Sequence, residues 1–274
     1  MEMQKTNAIV RWELDRQTIA FSTTRHGGYS EGEFGEFNMN PWVGDNPEHV
    51  EKNRQMLARQ LCLGDASCII MPHQVHGTRS LQITSDFLNL TPEAQAALLE
   101  GIDIVMTDVP SVCIGVSTAD CVPILLYDMN RHAAVAIHAG WRGTKERIVE
   151  KAFNDMHRAY GSDAQQMRAI IGPCIQMHNY EVGHDVWQQF YDAGFNMKSI
   201  SLPETQRKKQ PDNPEERKYT LDLCLANHQL LQDLGFESHH IFASLRNSYG
   251  EADDFFSVRR QGPNCGRTYT GIIL

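Results

Sequence analysis

Between residues 102 and 138 four short apolar runs follow one another, Ile102–Met106, Val112–Ser117, Val122–Tyr127 and Ala133–His138, each separated from the next by turn formers. A strand with one wet face alternates apolar and polar side chains. Near-continuous apolarity therefore predicts strands covered on both faces. Further strands are expected at Ile19–Thr23, Ile69–Met71, Ala169–Ile171, Ile241–Ala243, Phe255–Val258 and Tyr269–Ile273. Helical periodicity marks four other segments. Asn46-Pro47 reads as an N-cap followed by proline at the first helical position of a helix reaching about Leu61. A second helix is expected from about Thr144, with Ile148, Val149, Ala152, Phe153 and Met156 on one face, a third from His184, and a fourth from Leu221 to Leu234, stopped by Gly235. Closely spaced strands followed by helices favour an α+β fold with mixed sheets in a layered sandwich over a regular βαβ repeat. One domain over 1–274 is expected, with a proline-rich exposed excursion at residues 203–218.

Composition excludes several partner classes. The 25 Lys and Arg stand against 34 Asp and Glu, a net charge of −9, so the chain has no electrostatic footprint for nucleic acid or an anionic membrane. No apolar stretch reaches the roughly 18–20 residues that cross a bilayer, and the N-terminus lacks the apolar core of a signal peptide. A cytoplasmic location is the expectation. The seven cysteines are scattered and form no Cys-x-x-Cys, which argues against a disulfide framework or a four-cysteine zinc site. Neither a Gly-x-Gly-x-x-Gly nor a Walker phosphate loop is present.

Three segments place ligand-type side chains at abrupt strand ends beside turn formers: Pro72–Gly77, Ser117–Pro123 and Ala136–Gly143. One residue from each, His76, Cys121 and His138, would supply two imidazoles and a thiolate, a donor set suited to a catalytic zinc with an open position. The spacing alone leaves two alternatives: a buried cysteine with two hydrogen-bonded histidines, or a metal-free Cys-His nucleophilic pair.

An ordered series of motifs narrows the reading. It comprises Phe21-Ser22-Thr23-Thr24-Arg25-His26-Gly27-Gly28, Val43-Gly44-Asp45, Asn53-Arg54, Gln74-Val75-His76-Gly77-Thr78, Thr118-Ala119-Asp120-Cys121-Val122-Pro123 and His138-Ala139-Gly140-Trp141-Arg142-Gly143. It continues through Gly172-Pro173-Cys174-Ile175, Tyr180-Glu181-Val182-Gly183, Phe255-Phe256-Ser257-Val258-Arg259-Arg260 and Gly266-Arg267. The chain thereby resembles the bacterial multicopper polyphenol oxidase/laccase-like family, whose members are regarded as zinc-dependent purine nucleoside phosphorylases and adenosine deaminases and include the peptidoglycan editing factor.

The resemblance implies that His76, Cys121 and His138 bind zinc, within a fold like that of the cytotoxic necrotizing factor-like toxin domain. It implies phosphorolysis of adenosine, inosine and methylthioadenosine, with adenosine deamination beside it. Editing of peptidoglycan precursors as an amidase, or a copper-loaded polyphenol oxidase activity, are the alternatives. The chain has no His-x-His pair, so copper is expected only as an adventitious metal at the same donors. Asp120 and Glu181 supply carboxylates for proton transfer or for holding the purine. Arg25, Arg54 and Arg142 are candidates for phosphate, Gln74 for the pocket wall and Trp141 for stacking on a base. The expected partners are therefore small purine nucleosides and phosphate. Two stretches depart from the family pattern: Ser244–Ser248 carries no cysteine-threonine pair, and Gln261–Cys265 replaces a glycine-threonine run.

Overall fold

A computed structural model describes residues 3–5, 8–15, 18–203 and 213–274. Its strands form two six-stranded sheets and a small three-stranded one. The first sheet runs in the order Met3–Lys5, Ile9–Glu13, Ile19–Thr23, Thr268–Ile273, Cys113–Thr118 and Ile69–Ile70. The second runs Ile241–Ala243, Met167–Ile171, Val122–Asp128, Ala133–Ala139, Ile104–Thr107 and Ser80–Ile83. Both mix parallel and antiparallel pairs.

The apolar runs explain how the sheets stack. Along Val122–Asp128, Val122, Ile124 and Leu126 join one buried cluster while Leu125 and Tyr127 join another. The second cluster lies between the sheets, because it also holds Trp12, Ala20, Ile114, Val116 and Ile272 from the first sheet. The outer face of the second sheet is covered by helices Ile148–Tyr160 and Leu223–Asp233, through Ile148, Ala152, Met156, Ala226 and Leu231. Helix Pro47–Gln60 covers the outer face of the first, packing Leu57 and Ala58 near Phe21 and Tyr269. The result is a helix–sheet–sheet–helix stack of mixed α+β type. Burial of each large apolar side chain contributes about 1.5–3 kcal/mol, which is why both faces of the central strands read as apolar.

Several expected elements differ. The helix expected from Thr144 is two helices, Trp141–Lys145 and Ile148–Tyr160, divided where Arg147 adopts a left-handed backbone (φ +57°). Phe255–Val258 is not a strand. Phe255 and Phe256 are buried in a bend, and the Ser257 hydroxyl accepts from the Arg260 amide to start a short helix, Val258–Gln261. The fourth helix begins at Leu223, because Lys218–Leu221 pairs in the small sheet and Asp222 caps the helix by accepting the Leu225 amide. Of the excursion expected at 203–218, residues 204–212 lie outside the described residues. Among the described residues no helix is long and apolar enough to cross a membrane.

Candidate metal centre

The strand Cys113–Thr118 belongs to the first sheet and Val122–Asp128 to the second, so Ala119-Asp120-Cys121 carries the chain from one to the other. Such a crossing needs a sharp turn. Asp120 makes it at φ +101°, a conformation that costs an L-residue energy and persists only when surroundings hold it. Its Oδ1 accepts from the Ser248 hydroxyl at 2.8 Å, its Oδ2 from the Arg259 amide at 2.7 Å, and its carbonyl from the Ile175 amide at 3.0 Å. Cys121 is thereby fixed at the head of the next strand.

His138 stands near the end of the neighbouring strand Ala133–Ala139, buried. His76 lies in the loop that precedes Ser80–Ile83, also with a left-handed backbone at φ +60°. The structure brings these three together. One ligand atom from each lies within 4.8 Å of the others, and the two imidazole rings meet edge-on with centroids 4.8 Å apart. Gly140 leaves room for this approach, since a Cβ there would sit 3.0 Å from His76 Cδ2 and 3.1 Å from Cys121 Sγ.

A fourth residue organises the three. Asp103 is fully buried, and its Oδ1 lies 2.7 Å from His138 Nδ1. The same carboxylate accepts the amides of Val75, His76 and Gly77 at 3.3, 3.1 and 2.7 Å, so it fixes the His76 loop as well. An imidazole that gives one N–H to a carboxylate keeps its other nitrogen for a metal, and such partners raise ligand basicity. Burial alone would push the Cys121 thiol up, but His138 and His76 outweigh it and bring the pKa down to about 6. Burial alone would lower His138, yet the Cys121 thiolate and Asp103 raise it to about 9. The two groups thus each favour the charged form of the other. Two imidazoles and a thiolate, converging with an anchored outer carboxylate, fit a tetrahedral metal with one open position.

The three donors form the floor of a cleft of about 550 Å³, within the range of small-molecule sites. Trp42, Gln74, Asp120, Tyr180, Arg259 and Arg267 are among its walls. Gln74 is the predicted binding residue that lines it, although its amide is spent on Ser117: Nε2 donates to the Ser117 carbonyl at 2.9 Å and Oε1 accepts the Ser117 amide at 2.8 Å. The arginines expected at phosphate lie elsewhere. Arg25 donates to the carbonyls of Gly35 and Ala252 and lies over the Phe256 ring, where it ties two loops. Arg54 donates to the carbonyls of Ala66 and Ile69 from helix Pro47–Gln60. Arg142 lies over Trp141 at 4.3 Å, exposed, and Trp141 packs against the core; neither lines the cleft. Glu181 is half-buried on the small sheet and also outside the lining; its carbonyl accepts from Arg259 Nη1 at 2.9 Å.

Arg259, Arg267, Tyr180 and Asp103 were not expected at the site. Arg259 and Tyr180 stack, guanidinium carbon to ring centroid 5.1 Å, and burial pushes the Tyr180 phenol upward, so it stays protonated. Arg267 is tied to the carbonyls of Pro263, Cys265 and Gly266. The one signal in the sequence for Asp103 was an acid inside the apolar run Ile102–Met106.

The chain is similar to several known proteins. A protein of Bacteroides thetaiotaomicron named purine nucleoside phosphorylase is 37% identical over 93% of this chain and 90% of its own. A protein named adenosine deaminase RL5, from an unknown prokaryotic organism, is 38% identical over 92% of each. The crystal structure of the hypothetical protein YfiH of Bacillus licheniformis superposes with a TM-score of 0.88 at 29% identity, covering 99% of this chain and 98% of that one. From the Ile19–Thr23 strand to the last residue, 19–274, the chain also matches a family described as multi-copper polyphenol oxidoreductase laccase, and it belongs to that family.

Proposed function

We propose that the protein is a zinc-dependent purine nucleoside phosphorylase acting on adenosine, inosine and methylthioadenosine, with adenosine deaminase activity at the same site. The observation that carries this is the His76–Cys121–His138 triangle at the floor of a nucleoside-sized cleft. The names of the Bacteroides and RL5 relatives support it. A zinc ion held by these three donors would supply a Lewis acid and a bound water with its pKa lowered towards 7.

The chain's own side chains divide the remaining work. Trp42 and Tyr180 offer aromatic faces to a base, and the protonated Tyr180 hydroxyl can donate to a base nitrogen. Phosphate falls to Arg259, which spends Nη1 on Glu181 and keeps its other N–H groups. Asp120, with both oxygens already accepting hydrogen bonds, orients Cys121 and the Arg259 backbone. Glu181 acts on substrate only by way of Arg259.

Adenosine with and without phosphate tests the reading. Adenine with ribose 1-phosphate reports phosphorolysis and inosine reports deamination. Cys121→Ala is expected to lose the metal, read by elemental analysis, and both activities. Arg259→Ala should lower phosphorolysis about tenfold or more, the loss of roughly 1.5–3 kcal/mol of charge-assisted hydrogen bonding, and deamination much less. Full zinc in Cys121→Ala, or neither product from metal-replete wild type, would overturn the proposal.

A further inference from the structure

A second convergence of metal-binding side chains lies outside the cleft, on the turn Ser238–His240. Glu237, His239 and His240 each place one ligand atom within 4.8 Å of the other two. The turn itself produces this. The His240 amide donates to the Glu237 carbonyl at 2.8 Å, and in a 3-10 turn residues three apart eclipse, so Glu237 and His240 share a side. His239 stands between them in sequence. Its Nδ1 is 3.3 Å from Glu237 Oε2, and its ring centroid is 4.2 Å from that of His240.

The turn is anchored. His240 leads directly into the strand Ile241–Ala243, which pairs in parallel with Met167–Ile171 at the edge of the second sheet. His240 Nδ1 is buried with no hydrogen-bond partner among the described residues. The turn borders a hollow of about 600 Å³ that Glu13 and Arg168 also line. The Arg168 guanidinium donates to the Leu14 carbonyl, so its charge is tied to the backbone.

From this geometry we infer a second, solvent-facing site for a divalent transition metal, formed by Glu237, His239 and His240. Two imidazoles and a carboxylate suit copper(II), nickel(II) or zinc(II), and copper(II) binds such a set most tightly in the divalent series. The site shares no residue with the cleft and does not rest on the proposed nucleoside chemistry.

The test uses the full-length chain, stripped with chelator, and copper(II) alone as the titrant. In a Cys121→Ala background, which removes the cleft site, titration calorimetry should find one copper(II) per chain. Electron paramagnetic resonance should show a tetragonal signal split by nitrogen. Adding His239→Ala and His240→Ala should abolish that equivalent, and Glu237→Gln should weaken it roughly tenfold. If the double replacement unfolds the chain, His239→Ala alone is read, with an expected loss of roughly tenfold or more. Undiminished copper affinity in His239→Ala, or a signal without nitrogen splitting, would overturn the site. Nucleoside turnover by zinc-loaded His239→Ala should equal that of wild type.

Discussion

Two histidines of the cleft wall each pair with a carboxylate behind them at nearly the same separation, His138 with Asp103 at 2.7 Å and His73 with Glu100 at 2.8 Å. Their side chains differ in access to water: 4% and 0% exposed in the first pair, 36% and 61% in the second. Distance therefore does not tell them apart. In the buried pair the removal of one partner strands the other in a medium that cannot solvate it, a cost of about 3–5 kcal/mol. The exposed pair is screened and worth about 0–1 kcal/mol. Asp103 also gathers three backbone amides from the His76 loop, whereas the ring of His73 is stacked against Trp42 at 4.6 Å. The buried pair fixes His138 and the His76 loop; the exposed pair stands beside Trp42 on the cleft wall.

The sharpest separation is expected in metal affinity. Asp103→Asn should weaken metal binding about 10–100-fold, as loss of an outer carboxylate does, while Glu100→Gln stays within about twofold in competition with a chromophoric chelator. Equal effects would break the comparison. The next effect is on acidity. Because Cys121 is lowered to about 6, its alkylation in metal-free protein should be slow at pH 5, rise through a midpoint near 6 and level off above pH 7. His138 supports that thiolate and Asp103 supports the charged His138, so Asp103→Asn should move the midpoint upward, read by mass spectrometry of the Cys121 peptide. An unmoved midpoint would detach Asp103 from the thiolate. The smallest effect belongs to stability at the exposed pair. Glu100→Gln should change the unfolding free energy by about 1 kcal/mol or less, within the range of exposed ion pairs.

The three segments that hold His76, Cys121 and His138 were legible as places where apolar runs meet turn formers, whereas the choice of one residue from each as a set rested on the family resemblance and not on local composition. Asp103 could not be read that way. Its role depends on the antiparallel register that sets Ile104 opposite Ile137 and gives the His138 amide to the Asp103 carbonyl. The arginines show the opposite failure. Arg25 and Arg54 lie in matched motifs, yet a motif does not say which carbonyls a guanidinium will meet, and those of Arg25 include Ala252, far along the chain. Phe255–Val258 looked like a strand because its side chains are apolar and bulky. They bury without a partner strand, and the Ser257 cap turns the backbone into a helix. The layering was legible because strands apolar on both faces must lie between two other layers.

Gly140 has a consequence for sequence drift. Its backbone is extended at φ −70°, a conformation open to every residue, so the chain conformation itself places no demand for glycine there. The demand comes from two neighbours, the His76 ring and the Cys121 sulfur, each about 3 Å from where a first side-chain carbon would stand. A descendant that replaced His76 or Cys121 with a smaller residue would be free to fill this position, and one that kept both would not. Position 140 therefore serves as a marker: a side chain there would identify a descendant in which the close approach of His76 and Cys121 has been given up.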